Sequence, residues 1–162
     1  MLVTGTSTGL GRALVELILE KGEKVVATAR ATSTLDSLVS QYPASQLLVL
    51  PLDVTKQGDV ISTFARAKEA FGRIDIVVNN AGFGIVGETE TIDEVAARSV
   101  FDTNVWGTLR VTKEAIRFFR DENPRGAGGR LLQIGSGLGL VGCPGLAIYS
   151  ASKFGEFCLR MR

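Results

Sequence analysis

The stretch Thr4-Gly5-Thr6-Ser7-Thr8-Gly9-Leu10-Gly11 decides how the rest of the chain is read. Before it stands Met1-Leu2-Val3-Thr4, a short apolar run of strand character. Behind it Leu10, Leu14, Leu17 and Ile18 recur at helical spacing on one face. Glycines spaced Gly-x-x-x-Gly-x-Gly at a strand-to-helix junction permit a tight turn. They also leave backbone N–H groups and the positive end of a helix open to a pyrophosphate. A tight turn needs glycine for steric reasons as well, so the loop alone fits both readings.

Outward from that loop, β-branched runs alternate with helical periodicities. Residues 24–28 read as a second strand after the stop Lys21-Gly22, and a weaker helix over 33–41 closes at Tyr42-Pro43. Residues 47–50 make a third strand; Val60, Phe64, Ala67 and Phe71 mark a helix stopped by Gly72; residues 74–78 make a fourth strand. The longest helix is expected from Asp93, burying Phe101, Val105, Leu109, Ile116 and Phe119 and ending at Asn123-Pro124-Arg125-Gly126. A fifth strand over 130–134, a glycine-rich loop and a helix from Ala147 still running at Arg162 complete the pattern. Strands apolar on both faces, each followed by a helix, predict an α/β fold with a doubly wound parallel sheet, as one domain over 1–162.

Composition narrows the function. The chain has 162 residues, 45% hydrophobic and 22% charged, enough apolar matter for a sizeable core. Eighteen Lys and Arg against 17 Asp and Glu give a net charge of +1, which offers no electrostatic footprint for nucleic acid or an acidic membrane surface. The absence of His removes His-based triads, His-ligated zinc and histidine pH switches. Two cysteines, Cys143 and Cys158, supply neither a four-thiolate metal site nor a disulfide framework, so no metal is expected and a reducing, cytoplasmic setting is. No apolar run is long enough to span a bilayer, and no signal peptide leads the chain. The 19 glycines cluster near 5–11, 82–87, 126–129 and 135–145, at element boundaries where backbone must approach something closely.

Several residues carry candidate chemistry. The second strand ends Ala27-Thr28-Ala29-Arg30, with a guanidinium where a carboxylate would select NAD. Arg30 can pair with the 2′-phosphate of NADP or stand as an exposed loop arginine; Arg12 can add to the same field. Asp53-Val54 can hold an adenine, or Asp53 can cap the next helix. Asn79-Asn80-Ala81-Gly82 ends strand four, on the carboxyl edge where ligands lie in such sheets. Tyr149 and Lys153 stand at i and i+4, side by side on a helix. A phenol with an ordinary pKa of about 10 becomes a usable acid–base near an ammonium, although such pairs also occur on solvated faces. Ser136 at the end of strand five can hydrogen-bond the same substrate oxygen, or lie in a flexible glycine turn. Asn104, a polar residue within the longest helix, is equally read as functional or as a satisfied buried amide.

Together, Thr4-Gly5-x-x-x-Gly9-x-Gly11, Asp53, Asn79-Asn80-Ala81-Gly82, Asn104, Ser136 and Tyr149-x-x-x-Lys153 resemble the short-chain dehydrogenase/reductase family, in its order and at its spacings, from Met1 to about Phe154. The resemblance implies a three-layer Rossmann-like fold with strand order 3-2-1-4-5 and hydride transfer between NAD(P) and an alcohol or carbonyl. It implies Tyr149 as general acid/base, Ser136 polarising the substrate oxygen, Lys153 on the nicotinamide ribose, and Asn104 holding a water of the proton relay. For the cofactor it implies Gly5, Ser7, Thr8, Gly9, Leu10, Gly11, Arg30, Asp53, Val54, Asn80, Ala81 and Gly82, with NADP preferred over NAD. It also implies a homodimer or homotetramer, with a small alcohol or carbonyl as partner. Residues 84–86 and 138–143 are expected to form an apolar wall of the substrate pocket. The family's later strands are missing, so a C-terminally truncated chain is expected, with strand five as a bare apolar edge, Phe154, Phe157 and Leu159 uncovered, marginal stability and weak cofactor binding. The competing readings are a catalytically silent chain that only binds dinucleotide or a partner chain, and an epimerase or dehydratase that reuses the Tyr and Lys.

Overall fold

A computed structural model describes residues 1–159. Its first strand, β1 (Leu2–Val3), is two fully buried residues that form the middle of a sheet. Around it lie β2 (Val25–Ala29), β3 (Leu47–Pro51), β4 (Ile76–Asn79) and β5 (Arg130–Gln133), in the order β3-β2-β1-β4-β5 and all parallel. Leu2 lies opposite Val26 and Val77, and Val3 opposite Ala27 and Val78. Since side chains alternate across a strand, this register sorts them into two cores. Leu2, Val26, Leu50 and Val77 face one side; Val3, Val25, Ala27, Leu47 and Val78 face the other.

Helices cover both faces. Val15, Ile18 and Leu19 of α1 (Gly9–Glu20) and Leu38 of α2 (Asp36–Val39) fill the second core. Val60, Phe64 and Ala67 of α3 (Gln57–Phe71) and Val111, Ala115 and Phe118 of α5 (Thr108–Asp121) fill the first. There the rings of Phe64 and Phe118 meet with centroids 5.8 Å apart at a tilt of 54°. Before α5 come α4 (Glu94–Phe101) and a π-helical stretch, Asp102–Gly107; α6 (Ala147–Cys158) follows β5.

Three expectations are corrected in detail. The α1 stripe that meets the sheet is Gly11, Val15, Ile18 and Leu19, whereas Leu10 is 72% and Leu17 50% exposed. The smallest residue, Gly11, must face inward because the turn leaves no room for more, and that sets the helix phase. The longest helix is not one α-helix but α4, the π-helical stretch and α5, and its buried residues are Val100, Asn104, Gly107, Thr108, Val111, Glu114, Ala115 and Phe118. The predicted set lies about one residue off this stripe, with Ile116 52% exposed, because Gly107 comes in against Val54. The helix over 33–41 is a 3-10 turn, Thr32–Leu35, running into the single turn α2. The last helix is described to Cys158; the predicted run onward to Arg162 lies in part outside the described residues.

Asn123, read from sequence only as a helix stop, is a buried tie. Its amide accepts from Ile74 N and donates to the carbonyls of Ile74 and Gly128. On the outer side of β5, Leu132 is 49% exposed, and Phe154 and Phe157 of α6 are 41% and 42% exposed.

Candidate active site

A cleft of about 770 Å³ opens at the carboxyl ends of β1, β2, β4 and β5. Its floor is the predicted glycine loop. Gly5 (φ +68°) and Gly9 (φ +57°) sit in the left-handed region. A Cβ at Gly5 would stand 2.8 Å from the Cα of Ala81, and one at Gly11 would strike the Gly5 carbonyl and the Asn80 amide. A Cβ at Gly9 would meet nothing within 4 Å, so the loop opens toward the cleft there. Thr8 caps α1 in extended conformation without a side-chain bond, and the first turn carries no acidic residue. The leading N–H groups of α1 thus lack an intrahelical partner and an opposing charge, which fits an anionic pyrophosphate. Ser7, Thr8, Gly9 and Leu10 line the cleft; Gly11 lies beneath them, buried.

What holds this loop to the sheet is Thr4, a residue the sequence reading used only as part of the motif. Its hydroxyl accepts from both Asn80 N and Ala81 N at 2.9 Å. Asn80 returns the tie, its side chain donating to Thr4 O at 2.8 Å and Gly5 O at 3.0 Å. Thr6 and Thr28 extend the lattice: Thr6 donates from backbone and hydroxyl to Thr28 O, and the Thr28 hydroxyl to Val3 O. A threonine placed directly between a strand and a glycine turn was the available signal.

At one end of the cleft are Arg30, Asp53 and Val54. Arg30 is exposed at the end of β2. Burial pushes the Asp53 carboxyl up, but hydrogen bonds from the Thr55 hydroxyl (2.7 Å) and amide (3.0 Å), with the charges of Lys56 and Arg30, outweigh it and hold the group below its ordinary value. Asp53 therefore stays ionised and folds its own turn while facing the cleft. Arg12 points elsewhere: its guanidinium binds Glu16, the Thr34 carbonyl and the Ser37 hydroxyl, clamping α1 to the 32–39 segment.

At the other end Tyr149 and Lys153 face the same cleft, with Ala81, Gly82, Phe83, Ile134 and Gly135. The Tyr149 ring packs on Gly84, where a Cβ would lie 2.9 Å from its Cδ2. The Lys153 ammonium lies 5.9 Å from the centre of that ring. It donates to Ile134 O at 3.1 Å and pairs with the carboxylate of Glu156, both side chains being buried. Asn104 does not line the cleft but lies below it, fully buried in the π-helical stretch. Its carbonyl oxygen accepts from Phe83 N, and its amide donates to Phe83 O and the Ser152 hydroxyl. A π-bulge placing a polar side chain at a site is a recurrent device. Ser136, half-buried, is next to the cleft residue Gly135; its hydroxyl accepts from Leu138 N. Beyond Tyr149, the Gly87 amide bonds to the Gly145 carbonyl, joining the two apolar loops expected to flank a substrate. The α4–π junction adds Ser99, Asp102 and Thr103 to the lining, which no local pattern announced.

A 3-2-1-4-5 parallel sheet with helices on both faces and a glycine-floored cleft at its carboxyl edge defines a Rossmann-like fold. The chain belongs to the short chain dehydrogenase family, whose pattern it matches over residues 1–160. It is 44% identical over 154 residues to an uncharacterized oxidoreductase of Schizosaccharomyces pombe, covering 95% of this chain and 50% of that protein. To human 17-beta-hydroxysteroid dehydrogenase type 1 it is 39% identical, covering 95% of this chain and 48% of the relative. The crystal structure of a short-chain dehydrogenase from Streptomyces avermitilis superposes with a TM-score of 0.88 at 37% identity, covering 98% of this chain and 57% of that one. A 3-ketoacyl-(acyl-carrier-protein) reductase from Brucella melitensis, complexed with NADH, superposes at 0.89 and 26% identity, over 98% and 65%. The chain spans about half the length of the curated relatives it matches. Among the described residues no helix is long and apolar enough to cross a membrane.

Proposed function

We propose that the chain forms, as one domain, the cofactor-binding and proton-transfer part of an NADP-dependent oxidoreductase that interconverts an alcohol and a carbonyl. The observation that carries this reading is that Tyr149 and Lys153 line the same cleft as Gly5 and Gly9. When bound there, the dinucleotide supplies or accepts the hydride. Tyr149 gives a proton to the substrate oxygen during reduction and takes it back during oxidation; its hydroxyl makes no hydrogen bond among the described residues. Ser136, already accepting from Leu138 N, keeps its own proton to donate to that oxygen. Lys153 holds the ribose side and, as a cation, favours the ionised phenol. Asn104 steadies the Phe83 backbone beside Lys153; both its amide hydrogens are engaged, so a relay water would bind only its acceptor side. The exposed Arg30 favours a 2′-phosphate, with Asp53 and Val54 on the adenine. Exposed Val86, Leu140 and Val141 support an apolar substrate, and Trp106, Phe154 and Phe157 support a helix-paired homodimer or homotetramer.

The test is NADPH oxidation against a panel of apolar and polar aldehydes and ketones, with Tyr149→Phe as the control. The substitution is expected to lower turnover by about 10²-fold or more. Equal rates in both proteins overturn the catalytic reading. In parallel, Arg30→Asp is expected to abolish the preference for NADPH over NADH in binding; an unchanged preference overturns the NADP assignment.

A further inference from the structure

Tyr149, Lys153 and Glu156 stand at i, i+4 and i+7 of α6, one stripe of a single helix. The first lines the cleft, the second spans cleft and interior, and the third is 2% exposed. A carboxylate this deeply buried is costly unless it is paired and hydrogen-bonded. Lys153 supplies that pairing, at i,i+3, while its ammonium also holds the Ile134 carbonyl at the end of β5. A lysine N-terminal to its glutamate is the weaker order on an isolated helix, so local helix energetics do not account for the pair. Its position does: it holds the ammonium that stands 5.9 Å from the centre of the Tyr149 ring, and charge near a phenol governs how readily it ionises.

We propose that Glu156 is a positioning residue that sets the charge Lys153 presents to Tyr149. This rests on the reading of Tyr149 and Lys153 as the proton-transfer pair. Without the carboxylate, the ammonium acts on the phenol as an uncompensated cation. With it, the carboxylate offsets the ammonium and draws it along the helix away from the cleft, and the phenol holds its proton to higher pH. Among the described residues, the other charged groups on elements packed against α6 are Glu94 and Arg98 of α4, paired with each other and exposed, and Asp102 of the π-helical stretch; the turn Gly137–Gly139 has none.

The chain has two tyrosines, so Tyr42→Phe leaves Tyr149 as the only phenol, and its ionisation is readable by tyrosinate absorbance without substrate or cofactor. On that background Glu156→Gln is expected to lower the titration midpoint by about one pH unit, Lys153→Met to raise it, and Glu156→Asp to restore most of the original value. NADPH binding is expected to tighten several-fold in Glu156→Gln. An unmoved midpoint in a folded Glu156→Gln protein overturns the proposal. Should Glu156→Gln not fold, a midpoint in Lys153→Met equal to that of the parent overturns it instead. A shifted midpoint together with absence of turnover in every variant supports this inference and overturns the oxidoreductase reading alone.

Discussion

Thr4 ties two parts of the cleft together with a single hydroxyl. One hydroxyl accepts two backbone N–H groups from the end of β4 and thereby fixes the distance between the glycine loop and the Asn80–Gly82 turn. Both groups belong to partly buried backbone, where an amide without a partner costs about 1–3 kcal/mol. Thr4→Val keeps the shape and removes the acceptor, so it is expected to destabilise the fold by about 2 kcal/mol or more in urea or thermal unfolding, and to weaken NADPH binding because the cleft wall loosens. Thr4→Ser, which retains the oxygen, is expected to stay near the parent in both measurements. Equal losses in the two variants would mean that the methyl packing of Thr4, not its hydroxyl, holds the turn.

At the scale of elements, Asn104 shows what an interrupted helix achieves. A regular α-helix from Asp93 to Asp121 would keep one apolar stripe; the π-helical stretch instead puts an amide inward at the level of the cleft. There it forms a two-way bond with the Phe83 backbone and reaches the Ser152 hydroxyl on α6, so three segments meet on one side chain. Asn104→Ala is expected to cost about 3 kcal/mol by leaving these groups unpaired. It should also speed hydrogen exchange at the Phe83 amide relative to core amides such as Val78. Exchange at Phe83 that stays slow would show that the segment is held by other contacts. The same elements mark what the sequence made legible. Alternating strands and helices, the glycine loop, the Asn80 turn and the Tyr149–Lys153 spacing were all readable, because each is a local pattern. The helix phase around Phe101 to Phe119 was not, since it depends on how closely Gly107 approaches Val54. The partners of Thr4, Asn123 and Glu156 lie across the fold or behind a residue read for another reason, and no spacing along the chain encodes them.

At the scale of the whole molecule, the two sheet edges differ. β3 ends in Pro51, which has no N–H to offer another strand. Among the described residues, β5 is the other edge and carries Leu132 half-exposed, with the exposed rings of Phe154 and Phe157 on α6. An apolar edge with open hydrogen-bonding groups is a template for association of unfolding chains. It contributes little to either core, because neither includes Leu132. Stability and solubility are therefore separable at this position. Leu132→Lys is expected to leave the unfolding midpoint within about 0.5 kcal/mol of the parent while reducing light scattering on heating. A buried change of similar size, Phe64→Leu, is expected to lower the midpoint and increase scattering. If Leu132→Lys instead unfolds the protein as Phe64→Leu does, the β5 face carries packing that its exposure conceals, and the division of the molecule into two cores flanking one sheet would have to be redrawn to include that edge.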